Sequence, residues 1–363
     1  MDTQHPGVAR CEVMAFDLHS LKVPIVQAPM AGGPSTPALA AAVGAAGGLG
    51  FLAAGYKTPA AVADGIAQLR AASDAPFGVN LFCASPAQAQ APAEVVAAYA
   101  QTLAADAERL GVALGEPRFD DDAYDAKLEV VMREAVPVVS FTFACPAPDT
   151  VAALQERGIG VWVTVTSPEE AVLARQAGAD ALVAQGTEAG GHRAYFSDED
   201  AHEEYGLLTL LRLLCEPGAP PLVATGGLMD GPGIAAALVA GASAVQLGSA
   251  FMLTPEAGTS EPHRARLAAP GLTRLTRAFS GRTARGIVNR FMDEHDADAP
   301  RAYPQVHHLT SPLRNAARGA GDADAINLWA GQGHALAQAR PAADIVRTLA
   351  EDAAAALRGP HRL

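Results

Sequence analysis

Residues 24–56 read PIVQAPMAGGPSTPALAAAVGAAGGLGFLAAGY and contain no charged side chain. The stretch is long enough to span a bilayer, but four prolines and two Gly-Gly pairs would break a membrane-spanning helix. Thr36 and Pro37 give the pattern of a helix start, a capping hydroxyl followed by a first-turn proline. We therefore predict a buried strand, a loop, a helix and a second strand in this stretch.

The same alternation of strand and helix continues along the chain, because short β-branched runs recur between Ala- and Leu-rich stretches. Helix starts are marked at Thr58-Pro59 and Ser167-Pro168, and helix ends at Gly178 and Gly241. Eight strand-helix units in about 250 residues favour an α/β fold, a (β/α)₈ TIM barrel. Counting alone leaves a doubly wound open sheet as the alternative. The predicted strands are Val23–Ala28, Gly48–Leu52, Phe77–Leu81, Val136–Phe141, Ile159–Thr164, Asp180–Ala184, Pro221–Thr225 and Ser243–Leu247.

Two segments, residues 82–135 and 254–334, are too long to be simple connections between a strand and a helix. The second is predicted to be a smaller cap or substrate segment over a barrel that spans residues 1–253. Residues 335–363 are predicted to contain a C-terminal helix, from Pro341 to Leu357, that packs back on the barrel.

Composition and charge restrict the partners of the chain. Among 363 residues, 26 are Lys or Arg and 39 are Asp or Glu, so the formal charge of −13 would repel nucleic acid. The four cysteines are far apart and form no C-x-x-C pair, which argues against a disulfide framework or a zinc site. The N-terminus has no apolar core of a signal peptide. We expect a cytoplasmic protein that binds neither nucleic acid nor a membrane.

Glycines follow the last two predicted strands, at the end of a barrel where active sites lie. Gly226 and Gly227 come after the seventh strand, and Gly248 and Ser249 after the eighth. Loops of this kind let backbone N–H groups approach a phosphate, and a mononucleotide such as FMN is the expected occupant. The alternative is that the glycines only form tight turns.

Amides and one histidine lie at the ends of other predicted strands. Asn80, Gln185 and Gln246 could hydrogen-bond the edge of a flavin ring, although an amide at a strand end often only satisfies a neighbouring loop. His192 lies in a glycine-flanked loop and is the best candidate base, with an expected pKa near neutrality. His307 and His308 are assigned to a cap loop. No metal-ligand cluster, P-loop, G-x-S-x-G elbow or dinucleotide motif is visible, which disfavours hydrolysis.

Taken together, these motifs resemble the nitronate monooxygenases, formerly called 2-nitropropane dioxygenases, and the first motif and the FTF segment resemble their class I. The resemblance covers roughly residues 20–357 of this sequence. The motifs that carry it are residues 24–56 quoted above, GVNLF (78–82), VVSFTFACP (138–146), QGTEAGGH (185–192), PLVATGGLMDG (221–231), AVQLGSAF (244–251), FSGRTARGIVNRF (279–291) and NLWAGQG (327–333).

The resemblance implies an FMN-dependent (β/α)₈ barrel that oxidises alkyl nitronates with O₂ to a carbonyl compound and nitrite, without NAD(P)H. His192 matches the catalytic histidine, which would abstract the α-proton of a nitroalkane or, as imidazolium, hold the nitronate. Pro29 and Met30 would pass beside the flavin ring. The positions that match FMN contacts in the family are Asn80, Gln185, Gly190, Gly227, Gln246, Leu247, Gly248 and Ser249.

Two other functions are alternatives to nitronate oxidation for this sequence. Flavin-dependent enoyl-ACP reductases and NADH:quinone reductases share the AGGH loop, but enoyl reductases usually have Gly-Gly-Met where Ala28-Pro29-Met30 stands. A flavin-binding protein without turnover is disfavoured by His192. Ala144 and Ala194 replace glycines common in the family, and both are expected on the substrate side. The physiological nitronate and the oligomeric state, including a homodimer, stay open.

Overall fold

Eight parallel strands form the centre of the computed structural model, which describes residues 16–83, 91–198 and 203–359. Neighbouring strands pair in chain order, and Val26 of the first strand bridges to Leu49 before the second, so the sheet closes. The predicted TIM barrel is confirmed, with every predicted strand end within two residues of the observed one. The strands are β1 (Ile25–Gln27), β2 (Gly50–Ala53), β3 (Phe77–Phe82), β4 (Val138–Thr142), β5 (Gly160–Val165), β6 (Ala181–Gln185), β8 (Leu222–Thr225) and β9 (Ala244–Leu247).

The helices begin and end largely where the capping signals predict. The side-chain oxygens of Thr36, Thr58 and Ser167 each accept a hydrogen bond from a first-turn N–H. Gly178 and Gly241 follow their helices with φ of +91° and +114°. The helices are α1 (Pro37–Ala45), α2 (Pro59–Ala72), α3 (Ala93–Thr102), α4 (Ala104–Leu110), α5 (Tyr124–Arg133), α6 (Pro148–Gln155), α7 (Pro168–Gln176), α8 (Leu207–Leu214), α9 (Gly231–Val239), α10 (Glu261–Leu267), α11 (Arg290–His295), α12 (Gln305–Gly319) and α13 (Ala342–Arg358).

The interior of the barrel changes from apolar to polar along the strands. Trp162, Val183 and Val223 belong to one buried apolar cluster, which Leu18 from the N-terminal segment joins. Two positions further along β5, β6 and β8, on the same side of each strand, lie Thr164, Gln185 and Thr225. The carboxyl ends of the strands therefore present polar side chains above an apolar floor.

A small antiparallel sheet stands over this end of the barrel. It pairs β10 (Thr273–Thr276) with β11 (Ala284–Ile287), and β11 with the two-residue strand β7 (Gly191–His192). This sheet was not predicted from the sequence, since β7 is too short to give a pattern. Its effect is to tie the His192 loop to the cap segment, residues 254–334.

The long insertion between β3 and β4 packs on the cap segment. Val96 and Leu103 share a buried cluster with Phe279 and Leu309, and the Tyr99 hydroxyl donates a hydrogen bond to the Ala278 carbonyl, 2.6 Å away. The predicted C-terminal helix is α13, which packs against α9 and α1. The division at residues 253 and 334 stays a prediction. No helix in the described part of the chain is long and apolar enough to cross a membrane.

Candidate active site

A cavity of about 580 Å³ opens at the carboxyl ends of the barrel strands. It is lined by residues from the loops after the strands and by residues of the cap segment. Leu247 is the one predicted site residue outside the lining: its side chain is buried in the core, and its carbonyl accepts a hydrogen bond from the Ala28 N–H at 2.8 Å. The other predicted residues all line the cavity: Pro29, Met30, Asn80, Gln185, Gly190, His192, Gly226, Gly227, Gln246, Gly248 and Ser249.

The loop after β1 is held in place by the fully buried Gln27. Its side-chain oxygen accepts a hydrogen bond from the Phe51 N–H at 3.0 Å, and its amide nitrogen donates to the Ser35 hydroxyl at 2.9 Å. The same hydroxyl accepts a hydrogen bond from the Met30 N–H at 2.8 Å. Pro29 and Met30 therefore form a fixed wall of the cavity.

Two of the predicted glycines are required by close packing of neighbouring loops. A Cβ on Gly190 would lie 2.4 Å from the Gly331 nitrogen, and one on Gly227 would lie 2.8 Å from the Glu188 Cβ. Gly227 also has a φ of +70°. The first contact joins the loop after β6 to the NLWAGQG segment, and the second joins the loop after β8 to the loop after β6, so both glycines are needed for the fold itself.

The three predicted amides differ in how the protein uses them. The Asn80 amide nitrogen donates to Ser140 and to Thr142 on β4. The Gln185 side chain donates to the His192 carbonyl at 3.1 Å and accepts from Arg193 at 2.8 Å. The Gln246 side-chain oxygen is buried and has no hydrogen-bond partner among the described residues. Gln185 thus positions the His192 loop, and Gln246 is left with an unused acceptor.

His192 lies in an aromatic enclosure. Its Nε2 is 2.9 Å from the Ser280 hydroxyl, and its ring lies within 6 Å of the rings of Phe143, Tyr303 and Trp329. Burial and, secondarily, the positive charges of nearby arginines lower the pKa of His192 to about 3. The expected pKa near neutrality is therefore wrong for the free site, and the imidazole is neutral at physiological pH.

Buried arginines fix the loop that carries His192. Arg193 donates to the Gly186 carbonyl at 2.7 Å, and Arg282 donates to the Arg193 carbonyl at 3.3 Å. The Arg282 guanidinium also lies 4.1 Å from the centre of the Phe143 ring, a cation–π contact. Arg282 places a positive charge behind the aromatic enclosure, whereas Arg193 forms an ion pair with Glu204 at 3.4 Å.

Helix α12 supplies residues that the sequence analysis did not assign. His307 and His308 lie within this helix, so their assignment to a loop was wrong. The spacing of the lining residues is helical and places them on one face, a signal that the sequence contains. The lining residues of α12 are His307, Ser311, Arg314, Asn315 and Arg318.

Other lining residues have no comparable signal in the sequence. Ser280 reaches the cavity only because β7 pairs with β11. Trp329 reaches it because Trp329 forms an antiparallel β-bridge with Gly286 of β11. Ala144 and Ala194 do not line the cavity, so their expected place on the substrate side was wrong. Ala194 is fully buried, and its N–H donates to the Gln185 side chain at 3.0 Å.

One cluster outside the cavity brings together Asp106, Glu294 and His295, residue types that bind metals. Asp106 already accepts hydrogen bonds from Arg109, Arg290 and His295, which lower the pKa of its carboxyl well below the usual value although burial opposes them. The arginines supply the positive charge that a metal ion would bring, so the cluster joins α4 to α11 as an ion-pair network.

A family model described as nitronate monooxygenase matches residues 14–352. The chain belongs to the nitronate monooxygenase family. The nitronate monooxygenase of Pseudomonas aeruginosa is 46% identical over 352 residues, which cover 92% of this chain and 97% of the relative. The resemblance found in the sequence is thereby confirmed, and with it an oxidoreductase of a flavoenzyme family.

Two solved structures are similar to this chain over most of its length. Nitroalkane oxidase from Streptomyces ansochromogenes superposes with a TM-score of 0.89 at 50% identity, covering 93% of this chain and 98% of that chain. FabK from Thermotoga maritima superposes with a TM-score of 0.73 at 27% identity, covering 93% and 94%. These similarities favour the nitronate monooxygenases over the reductase alternative.

Proposed function

We propose that this chain binds FMN in the cavity and oxidises alkyl nitronates with O₂ to a carbonyl compound and nitrite. The observation that carries the proposal is one continuous cavity that joins the glycine loops after β8 and β9 to the enclosed imidazole of His192. A nitronate bound beside His192 would share this cavity with a flavin whose phosphate rests on those loops.

Two features of the cavity fit a flavin mononucleotide. The unpartnered oxygen of Gln246 is a buried acceptor for a ring N–H. A Cβ on Gly248 would meet only ordinary contacts, 3.7 Å from Ala28 and from the Met30 sulfur, so packing does not require glycine there. The missing side chain instead leaves room for a ligand against Met30. When bound, FMN would supply the electron transfer that no side chain provides.

The phosphate end is assigned to Gly226, Gly227 and Ser249. Gly226 and Gly227 have positive φ, which turns backbone N–H groups toward a ligand as in other phosphate loops. The Ser249 hydroxyl accepts a hydrogen bond from the Gly331 N–H at 3.0 Å and keeps its proton for a phosphate oxygen. We carry over Pro29, Met30, Asn80, Gln185, Gly190, Leu247 and Gly248 as further FMN contacts, with Leu247 contributing only backbone.

His192 is assigned as the base for neutral nitroalkanes. The Ser280 hydroxyl has the Arg282 carbonyl as an acceptor at 3.2 Å, and we assign the His192 Nε2–H as the donor toward Ser280. That tautomer leaves a lone pair on Nδ1 to accept the proton when the α C–H bond breaks, and the electron pair passes to the nitro group. For a nitronate, which has already lost this proton, a neutral His192 supplies no counter-charge.

Anaerobic mixing of the FMN-loaded protein with ethylnitronate or with NADH tests this function. Flavin bleaching or a radical absorbance with ethylnitronate and none with NADH is the expected result. Bleaching by NADH alone would assign the chain to the reductase alternative. Air-saturated turnover with release of nitrite and carbonyl compound completes the test.

We also propose a cytoplasmic location. Cys83, Cys145 and Cys215, the cysteines of the described residues, are free thiols, which supports a reducing compartment. A thiol titration of the protein purified without reductant tests it: formation of a disulfide would argue against this location.

A further inference from the structure

His307 is a second imidazole on the wall of the cavity. Its ring stacks on the ring of Tyr56, with centroids 4.2 Å apart and planes 6° apart. The Tyr303 hydroxyl donates to the Tyr56 hydroxyl at 3.2 Å, and the Tyr303 ring lies 5.7 Å from the His192 ring. The two imidazoles therefore face the same space, from β7 and from α12.

The buried Arg314 fixes the tautomer of His307. An Arg314 Nη2 atom lies 3.3 Å from the His307 Nδ1, and the same nitrogen donates to the His307 carbonyl at 2.8 Å. A guanidinium has N–H donors and no acceptor, so a proton on Nδ1 would face another donor. The two Nη2 hydrogens point to the His307 carbonyl and to Ser311, and the positive guanidinium faces Nδ1, so we assign the proton of the neutral ring to Nε2.

Arg314 also brings a charge that the described residues do not neutralise. It is buried and donates to Thr310, to Ser311 and to His307, and no carboxylate of the described residues pairs with it. Burial lowers the pKa of Arg314 to about 10, which leaves the guanidinium protonated at neutral pH. An anion in the cavity would complement this charge through the polarised imidazole between them.

We propose that the His307 Nε2–H, held in this tautomer by Arg314, donates a hydrogen bond to an oxygen of the nitro or nitronate group. The inference rests on the proposed function and assigns a second substrate contact to it. The two histidines then have complementary roles. His192 accepts the proton of a nitroalkane, and His307 stabilises the negative charge that develops on the nitro oxygen. Arg314 is a positioning residue that acts through His307. In support, no partner for His307 Nε2 is found among the described residues.

Variants of the two adjacent histidines test the contact. His307→Phe keeps a ring against Tyr56 and removes the donor, and His307→Gln keeps an N–H group near the position of Nε2. His308→Phe is the matched control, because His308 does not line the cavity and lies 3.4 Å from Asp120. FMN content and thermal midpoint are measured for each variant, so that a folding defect is recognised.

Oxygen consumption with ethylnitronate is the readout. We expect kcat/KM to fall about 10- to 100-fold in His307→Phe, as for the loss of one hydrogen bond to a charged group. His307→Gln should recover part of this loss, and His308→Phe should stay within about twofold of the wild type. Equal losses in His307→Phe and His308→Phe, or no recovery in His307→Gln, would overturn the proposal.

Nitrogen-15 NMR of histidine-labelled FMN-loaded protein tests the tautomer without turnover. The His307 resonances are identified by their loss in His307→Phe. The wild type should show a protonated Nε2 and an unprotonated Nδ1 at neutral pH, and Arg314→Met should admit the other tautomer. A protonated Nδ1 in the wild type would overturn the assignment. If the wild type consumed no oxygen with ethylnitronate, the proposed function would fail and the substrate contact with it.

Discussion

Replacing Lys127 with Met would break a buried ion pair that supports the wall of the cavity. Lys127 is 1% exposed, and its Nζ lies 2.6 Å from a carboxylate oxygen of Asp122. The other oxygen of Asp122 accepts a hydrogen bond from the Tyr56 N–H at 2.8 Å. Tyr56 has a φ of +64° and packs on His307, so the ion pair holds the loop that positions these rings.

The size of the effect follows from the distance and the burial. Unit charges 2.6 Å apart attract by about 6 kcal/mol at an effective dielectric constant of about 20. Removal of one partner of a buried pair typically costs about 3–5 kcal/mol, because the other charge stays buried. Burial already raises the pKa of Asp122 despite Lys127, and the variant should raise it further. A carboxyl group with a raised folded-state pKa destabilises the fold above that pKa, and protonation at lower pH relieves the penalty.

Urea unfolding of FMN-saturated protein at about pH 8 and about pH 5 measures the free energy of unfolding. We expect Lys127→Met to lose about 3–5 kcal/mol at the higher pH and less at the lower pH. The double variant Asp122→Asn, Lys127→Met should recover most of the loss, since an asparagine oxygen can still accept from Tyr56. A loss below about 1 kcal/mol, or a double variant no more stable than Lys127→Met, would refute this reasoning.

Three further predictions concern the candidate active site. His192→Gln should keep FMN bound, as flavin absorbance after gel filtration will show, while turnover of a neutral nitroalkane falls about 100-fold or more; equal activity would exclude His192 as the base. Because the pKa of His192 is lowered to about 3, kcat/KM for a nitroalkane should show no loss from His192 protonation as the pH falls from about 8 to about 5, and an apparent pKa of 6–7 assigned to His192 would contradict this. Gly227→Val should destabilise the protein even without FMN, since its Cβ would lie 2.8 Å from Glu188, whereas Gly248→Val should leave the apoprotein stable and weaken FMN binding; thermal midpoints with and without FMN separate the two.

The barrel could be predicted because its signals are local. Each strand is a short apolar run, and Thr36, Thr58 and Ser167 cap the helices that follow through contacts within one turn. The polar residues at the strand ends follow from the same pattern. Gln185 and Gln246 face the cavity because they lie two positions after inward-facing apolar residues of the same strands. For these elements, the place of a residue along the sequence largely determines where it lies in the barrel.

The contacts of the cap segment could not be predicted from the sequence because they depend on pairing between distant parts of the chain. His192 and Ser280 meet across 88 positions of sequence, and only the pairing of β7 with β11 brings them together. The low pKa of His192 has the same origin. It comes from burial by rings of the cap segment and from Arg282 and Arg314, none of which is near His192 in the sequence. A sequence pattern reports a residue type and its local spacing, and it does not report the enclosure that sets a pKa.

The two parts of the site therefore have separate origins in the fold. The groups assigned to FMN come mainly from strand ends of the barrel, whose positions are fixed by a closed hydrogen-bonded sheet. The groups assigned to the substrate come from β7 and α12, and their geometry depends on side-chain packing among Tyr56, Tyr303 and His307. A substitution on the cavity face of α12 should alter nitronate binding without loss of flavin, because no residue of α12 belongs to the glycine loops. Such separation allows the substrate to be changed on a constant cofactor site.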